Sequence, residues 1–375
     1  KYKLGLDTLI LPTPEYATKM AFDPYAVGIK HRLIEEAITV AQNKRALIPM
    51  VNLTAPKIAT LSIGSTTKTK FQERLDSYME ARHFNIAHTL KDVDETSLLK
   101  DLKKYERVII SIHQMTNKVG SNFGLTTKEL TLIQNINRQN EVILVIFGSP
   151  YSLKYFENID HILMAYEDTP ETEDITAQGL TGVFGFKGKL PVTASNIFPC
   201  NHGFTTPSLK RMGYSVPERV GMCSDSLTYI STIANYMIEI GAAPGCQVLI
   251  AKDGRIIYEQ AFGSHTYKDD NPVYLTDLYD IASVTKVAAT TLAVMRLHKE
   301  GIISVDKTLG DYLPWLAGSN KEKMVIRKVM AHHAGLQSWI PFYEKTVSLE
   351  DNYWLEMEPD VYCDYPSAQH CVAIA

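Results

Sequence analysis

Several things are scarce in this 375-residue chain, and each scarcity removes a class of function. There are five cysteines, Cys200, Cys223, Cys246, Cys363 and Cys371, an odd and scattered set. No Cys-x-x-Cys or mixed Cys/His spacing occurs, which argues against zinc, and buried free thiols are expected rather than a disulfide framework. No apolar run approaches the ~20 residues of a transmembrane helix. Lys1-Tyr2-Lys3-Leu4-Gly5-Leu6 is not followed by the apolar core of a secretion signal. Neither sign of charge dominates: 38 basic and 42 acidic residues give a net charge of −4. Without a basic stripe or a cationic amphipathic helix, neither nucleic acid nor a membrane surface is an expected partner. Ile63-Gly64-Ser65-Thr66-Thr67 lies between a strand and a helix but carries neither glycine fingerprint of a phosphate loop, so no cofactor is expected.

What is present is an ordinary globular mix, 45% hydrophobic and 21% charged, long enough for two or three domains. The first two hundred residues alternate strand and helix. Helical apolar spacing runs over Ile29 to Gln42, then Phe71 to Arg82, Thr96 to Lys104 and Thr127 to Arg138. Between them lie apolar runs at Lys57–Ile63, Phe84–His88, Arg107–Ile112, Glu141–Phe147 and His161–Tyr166. Continuous β-branched runs indicate strands covered on both faces. Alternation with short connections predicts a doubly wound, mostly parallel α/β sandwich. After the last strand, Glu167, Asp168, Glu171, Glu173 and Asp174 cluster. A carboxylate at a strand's C-terminal edge can face a ligand crevice, but an acidic first turn starting at Thr169-Pro170 would complement a helix dipole. Asn196 to Arg219, rich in proline and glycine, reads as a linker.

The second half carries a chemical signal. Leu227 to Ile240 has helical spacing. Two apolar runs then flank Asp253-Gly254, the pair favoured in a type I′ hairpin turn. Next comes Tyr279-Asp280-Ile281-Ala282-Ser283-Val284-Thr285-Lys286, entering a helix expected over Val287 to Lys299. Residues three apart share a helix face, which sets the Ser283 hydroxyl beside the Lys286 amine. A serine is a poor nucleophile until a neighbour takes its proton, and a desolvated lysine can do so. The plainer reading of Ser-x-x-Lys is a serine cap with a solvated lysine one turn on. The His332-His333 pair is adjacent in sequence, which does not place both rings on one metal, and no metal site is expected.

Flanking motifs give the tetrapeptide a context. Pro217-Glu218-Arg219-Val220-Gly221-Met222, Pro244-Gly245, the Asp-Gly hairpin, Ala282 to Lys286, Tyr312-Leu313-Pro314 and His332 to Leu336 occur in order. Residues 215–345 thereby resemble the class C β-lactamase and penicillin-binding-protein-like serine hydrolases. The resemblance implies Ser283 as the acylated nucleophile, Lys286 as its proton partner, and the Ser283 N–H as half of an oxyanion hole. It gives His332 a mainly structural role, packed or capping. The family's Tyr-x-Asn or Tyr-Ser-Asp motif and its late Lys-Thr-Gly or His-x-Gly strand are not found. Tyr362-Cys363-Asp364 and Tyr365-Pro366-Ser367 fit poorly, and the domain is expected to be incomplete at its C-terminal side.

Ala46-Leu47-Ile48-Pro49-Met50 and Phe186-Lys187-Gly188-Lys189-Leu190-Pro191-Val192, the latter a closing strand, give residues 28–195 a resemblance to the C-terminal α/β sandwich of family 3 glycoside hydrolases. Lys1 to Leu6 looks like the end of the preceding barrel, which would carry that family's catalytic Asp and, in the N-acetylglucosaminidase branch, its Asp-His pair. The expected organisation is 1–27 barrel end and linker, 28–195 sandwich, 196–219 linker, and 220–375 an incomplete α+β β-lactamase-like domain. The implied parent is a cell-envelope, periplasmic or secreted hydrolase acting on small or peptidoglycan-derived substrates. The alternative is a non-catalytic scaffold. Oligomeric state is not legible.

Overall fold

The computed structural model describes residues 13–15, 23–88, 90, 93–268 and 271–337. They form two compact units that divide between Asp277 and Leu278.

The first unit is built on six strands: β1 (Thr39–Asn43), β2 (Ile58–Ile63), β3 (Arg82–Ile86), β4 (Arg107–Ile112), β5 (Glu141–Ile146) and β6 (His161–Met164). Their order is β1-β6-β5-β4-β2-β3. All neighbours are parallel except β1 and β6. Five helices accompany them: α1 (Pro24–Ala37), α2 (Lys70–Asp76), α3 (Glu95–Leu102), α4 (Thr127–Gln139) and α5 (Pro170–Leu180). Side chains alternate across the sheet, as the pleat requires. Val108, Ile110 and Ile112 join Leu98, Leu102, Leu132 and Ile136 in one core. Ile109, Ile143 and Val145 join Phe71, Leu75, Ile175 and Leu180 in a second core on the opposite face. This is the doubly wound sandwich read from the sequence. Reciprocal capping boxes start α2 (Thr69 with Gln72) and α4 (Thr126 with Glu129).

Three local expectations fail, each for a physical reason. The first helix ends at Ala37, and the residues beyond it become β1, with Thr39 opposite Met164. Ile38, Val40 and Ala41 are fully buried; a buried strand after a helix leaves apolar residues at helical intervals, which spacing alone cannot separate. Phe186 to Val192 is not a strand. Phe186 and Leu190 are buried, but their N–H groups go to the Thr206 hydroxyl and the His202 carbonyl, and Pro191 has no N–H for a ladder. Residues 196–219 are not a free spacer. Phe198 is buried, Phe204 donates its N–H to the Val40 carbonyl, and Leu209 donates to Gly182. Within that stretch, β7 (Gly213–Tyr214) pairs with β9 (Arg255–Gly263), which pairs in turn with β8 (Gly245–Lys252). The β8–β9 turn is as read: Asp253 and Gly254 have φ of +51° and +73°, as type I′ demands. Helix α6 (Ser224–Glu239) precedes the hairpin.

A buried charge cluster fastens β9 to the sandwich. Glu35 on α1 accepts from both terminal nitrogens of Arg219, with Nη1 at 2.7 Å, and Arg255 Nη2 lies 3.0 Å away. All three side chains are nearly buried. Burial pushes the Arg255 guanidinium down from its usual range and Glu35 opposes it. Alongside, the Arg74 guanidinium sits 3.6 Å over the Tyr214 ring while its Nε donates to Asp174 at 2.6 Å. The thiols also depart from expectation: Cys200, Cys223 and Cys246 are free, but the first two are exposed and the third half-buried. Cys200 follows Pro199 in a turn and Cys223 stands at the start of α6, positions that face solvent. Cys363 and Cys371 lie outside the described residues.

Two substitutions test this packing. Glu35→Ala leaves two buried guanidiniums facing each other and is expected to cost about 3–5 kcal/mol in urea unfolding. Phe198→Ala, if 196–219 belongs to the sandwich core, costs a similar ~3–5 kcal/mol; a loss below about 0.5 kcal/mol would return the segment to a spacer.

Candidate functional site

In the second unit the chain approaches the Ser-x-x-Lys segment through a local turn. The Asp280 carboxylate accepts the Ala282 N–H at 2.7 Å. Ala282 holds φ of +41°, a left-handed conformation costly for a residue with a Cβ. One 3₁₀ turn, Ala282–Val284, carries Ser283. Lys286–Thr291 then winds as a π turn before α7 (Leu292–Lys299). The expected helix is therefore present with a widened first turn. The Thr291 hydroxyl donates to the Lys286 carbonyl five residues back at 2.8 Å, the interval of π hydrogen bonding.

This geometry brings the two sequence-selected residues together: Lys286 Nζ donates to Ser283 Oγ at 2.8 Å. Both side chains are exposed. So is the setting, since no described residue from Leu278 to Gln337 is buried. A hydroxyl hydrogen-bonded to an amine one turn away can pass its proton to that amine when the amine is uncharged, and it then attacks an acyl carbon.

The other described motifs of this unit make local hydrogen bonds. The Tyr312 hydroxyl accepts the Ser304 N–H at 2.8 Å, so the Tyr-Leu-Pro segment braces a loop. Helix α8 (Ile326–Met330) closes on His332, whose φ is +58°. The His332 N–H reaches the Val329 carbonyl and the His333 N–H reaches Lys328, the paired bonds of a Schellman cap. His332 is thus a capping residue through its backbone, with its ring exposed rather than packed. The Tyr362-Cys363-Asp364 and Tyr365-Pro366-Ser367 segments lie outside the described residues.

The structure also assembles a polar cluster in the sandwich. His113, directly after β4, places Nδ1 3.0 Å from Asp168 Oδ1 and 3.7 Å from Glu173 Oε1. Of the two readings of the acidic run, the acidic first turn of a helix is the one present. Thr169 caps α5 with Pro170 at its first position and Glu171 and Glu173 in its first turn, while Asp168 and Glu173 turn toward His113. Burial would raise the Asp168 carboxyl, but bonds from His113 and the Gln114 N–H outweigh it and hold it below the usual range. Burial pushes Glu173 above that range, and the Asp168 charge adds to the rise. The sequence reading missed His113; its signal is a histidine ending a continuous apolar strand.

Comparison with known proteins bears on the second half. The beta-lactamase family model matches residues 232–370, a stretch that contains both Ser283 and Lys286. A protein of Escherichia coli strain K12 named as a D-alanyl-D-alanine carboxypeptidase is 32% identical over 133 residues, 32% of this chain and 30% of that protein. Protein flp of Staphylococcus aureus is 27% identical over 130 residues, 34% of this chain and 26% of its own. The N-acetylmuramyl-L-alanine amidase of Bacillus subtilis is 31% identical over 113 residues, 27% of this chain and 26% of its own. The chain thus spans less than a third of the length of these relatives. Among solved structures, a glycoside hydrolase family 3 β-N-acetylglucosaminidase from Paenibacillus is similar at 14% identity and a TM-score of 0.35, over 44% of this chain and 32% of that one. β-Glucosidase 3B from Thermotoga neapolitana is similar at 21% identity and a TM-score of 0.36, over 44% and 30%. Over residues 232–370, the chain carries a beta-lactamase family domain.

Proposed function

We propose that this chain is part of a serine acyl hydrolase in which Ser283 is the nucleophile and Lys286 its general base. The observation that carries the reading is the 2.8 Å contact between the two side chains, inside the stretch that matches the family. In the proposed cycle Ser283 Oγ attacks the carbonyl carbon of the substrate as its proton passes to Lys286 Nζ. The leaving amine or alcohol takes that proton as the acyl bond breaks, and water then hydrolyses the Ser283 ester. The Ser283 N–H is assigned to the oxyanion, where loss of one donor costs roughly 3–4 kcal/mol of transition-state stabilisation. Desolvation favours the uncharged amine, so the working state requires substrate or further protein to cover the pair.

The substrates that fit are D-alanyl peptides, related esters or β-lactams, in keeping with the peptidoglycan enzymes named among the relatives. The sandwich supports a parent that also carries a family 3 glycosidase of the β-N-acetylglucosaminidase type and works in the cell envelope. Among the described residues no helix is long and apolar enough to cross a membrane. A second reading, a non-catalytic scaffold, draws on the exposure of Ser283, Lys286 and their surroundings.

A fluorophosphonate probe separates the two. On a version extended past Ala375, labelling is expected and is abolished by Ser283→Ala, while Lys286→Ala slows it by about 10²-fold or more. Urea unfolding of both variants checks the fold, since a change below ~0.5 kcal/mol means that lost labelling is not lost folding. Labelling that survives Ser283→Ala removes Ser283 as nucleophile, and no labelling of the extended protein supports the scaffold.

A further inference from the structure

The cluster at the end of β4 has the composition and spacing of a cation site. His113 is buried, at 2% exposure, with its ring stacked on Phe147 at 4.8 Å between centroids. His113 Nδ1, a carboxylate oxygen of Asp168 and one of Glu173 all lie within 4.8 Å of one another. The remaining polar atoms of the three groups are anchored elsewhere. His113 Nε2 meets the Ser111 hydroxyl at 2.9 Å, Asp168 Oδ2 accepts the Gln114 N–H at 2.6 Å, and Glu173 Oε2 accepts the Phe71 N–H at 3.0 Å. In the tautomer with Nε2–H donating to Ser111, Nδ1 turns a lone pair toward the two carboxylates; in the other, Nδ1–H donates to Asp168. In the first tautomer three acceptors lie close together, an arrangement that a cation between them would relieve. A second shell that fixes the tautomer and orients each ligand is the usual surrounding of a bound metal.

The separations suit a small ion. Ligand atoms about 2.0–2.1 Å from a tetrahedral zinc lie roughly 3.3–3.4 Å apart, and the observed 3.0 and 3.7 Å bracket that value. One imidazole with two carboxylates favours first-row transition ions over Mg²⁺ or Ca²⁺, which take all-oxygen shells. Access is available along the rim, since Asp168 keeps 24% of its side chain exposed. The apparent Ser111–His113–Asp168 relay is not a hydrolytic triad, because Ser111 is fully buried within β4 and no substrate reaches it.

We propose that His113 Nδ1, Asp168 and Glu173 form a three-ligand site for a divalent first-row cation, with Zn²⁺ or Mn²⁺ as occupant and water completing the shell. The test uses the full chain stripped by chelator, with thiols blocked so that Cys200 and Cys223 cannot compete. Calorimetric titration with Zn²⁺ should show one saturable site per chain, weakened at least about tenfold by Asp168→Asn and by Glu173→Gln. Spin-echo modulation of bound Mn²⁺ in the unaltered chain should show coupling to one imidazole nitrogen, a readout that stands even if a variant misfolds. No saturable binding, no nitrogen coupling, or equal affinity in both folded variants overturns the site.

Discussion

Strands buried on both faces constrain the whole first unit. Every backbone N–H and C=O of such a strand must find its partner in the ladder, and every side chain must be apolar or paired. That requirement makes β4 and β5 nearly unbroken runs of valine, isoleucine and leucine. Small hydroxyls such as Thr60 and Ser111 are admitted inside the sheet, while titratable groups gather at the strand ends. His113 appears where β4 stops, and Asp168 where β6 has given way to α5. The same economy explains Glu35. A carboxylate drawn under the surface of α1 needs counter-charges, and the two guanidiniums that supply them come from residues 219 and 255. Chain that reads as a linker is thereby fixed against the sandwich.

How much of this was legible depends on the kind of signal. Long apolar runs with turn residues between them gave the parallel strands within a residue or two, because burial on both faces leaves little sequence freedom. The Asp253-Gly254 turn was legible because only a few residues tolerate two successive left-handed positions. Where a signal is shared by two structures, the reading failed. Ile38 and Ala41 satisfy helix spacing and a buried strand equally. Pro199, Gly203 and Pro207 mark irregular backbone, but irregular backbone can be tightly bonded, as the Phe204 and Leu209 N–H groups are. The convergence of His113 with Asp168 and Glu173 joins residues more than fifty positions apart, and only the sheet order brings them together.

The candidate active site shows the opposite balance. Ser283 and Lys286 are local in sequence, so one turn of helix suffices to pair them, and their contact follows from spacing alone. The left-handed Ala282 and the π turn that begins at Lys286 were not legible, because neither alanine nor lysine announces such backbone. Both features bracket Ser283, and strained or widened backbone of this kind gathers where a side chain must be aimed. A pair held by local geometry is also a pair that needs nothing else in order to form. Its chemistry, in contrast, depends on being covered, which the exposed setting from Leu278 to Gln337 does not supply.

The central claim is therefore about one oxygen atom, and the direct measurement is where an acyl group lands. The extended protein would be incubated with a penicillin, quenched in acid, digested and mapped by mass spectrometry. The account predicts a single adduct of the intact β-lactam mass on the peptide containing Ser283. An adduct on any other residue, or none while a known penicillin-binding protein in the same tube is fully acylated, would contradict it.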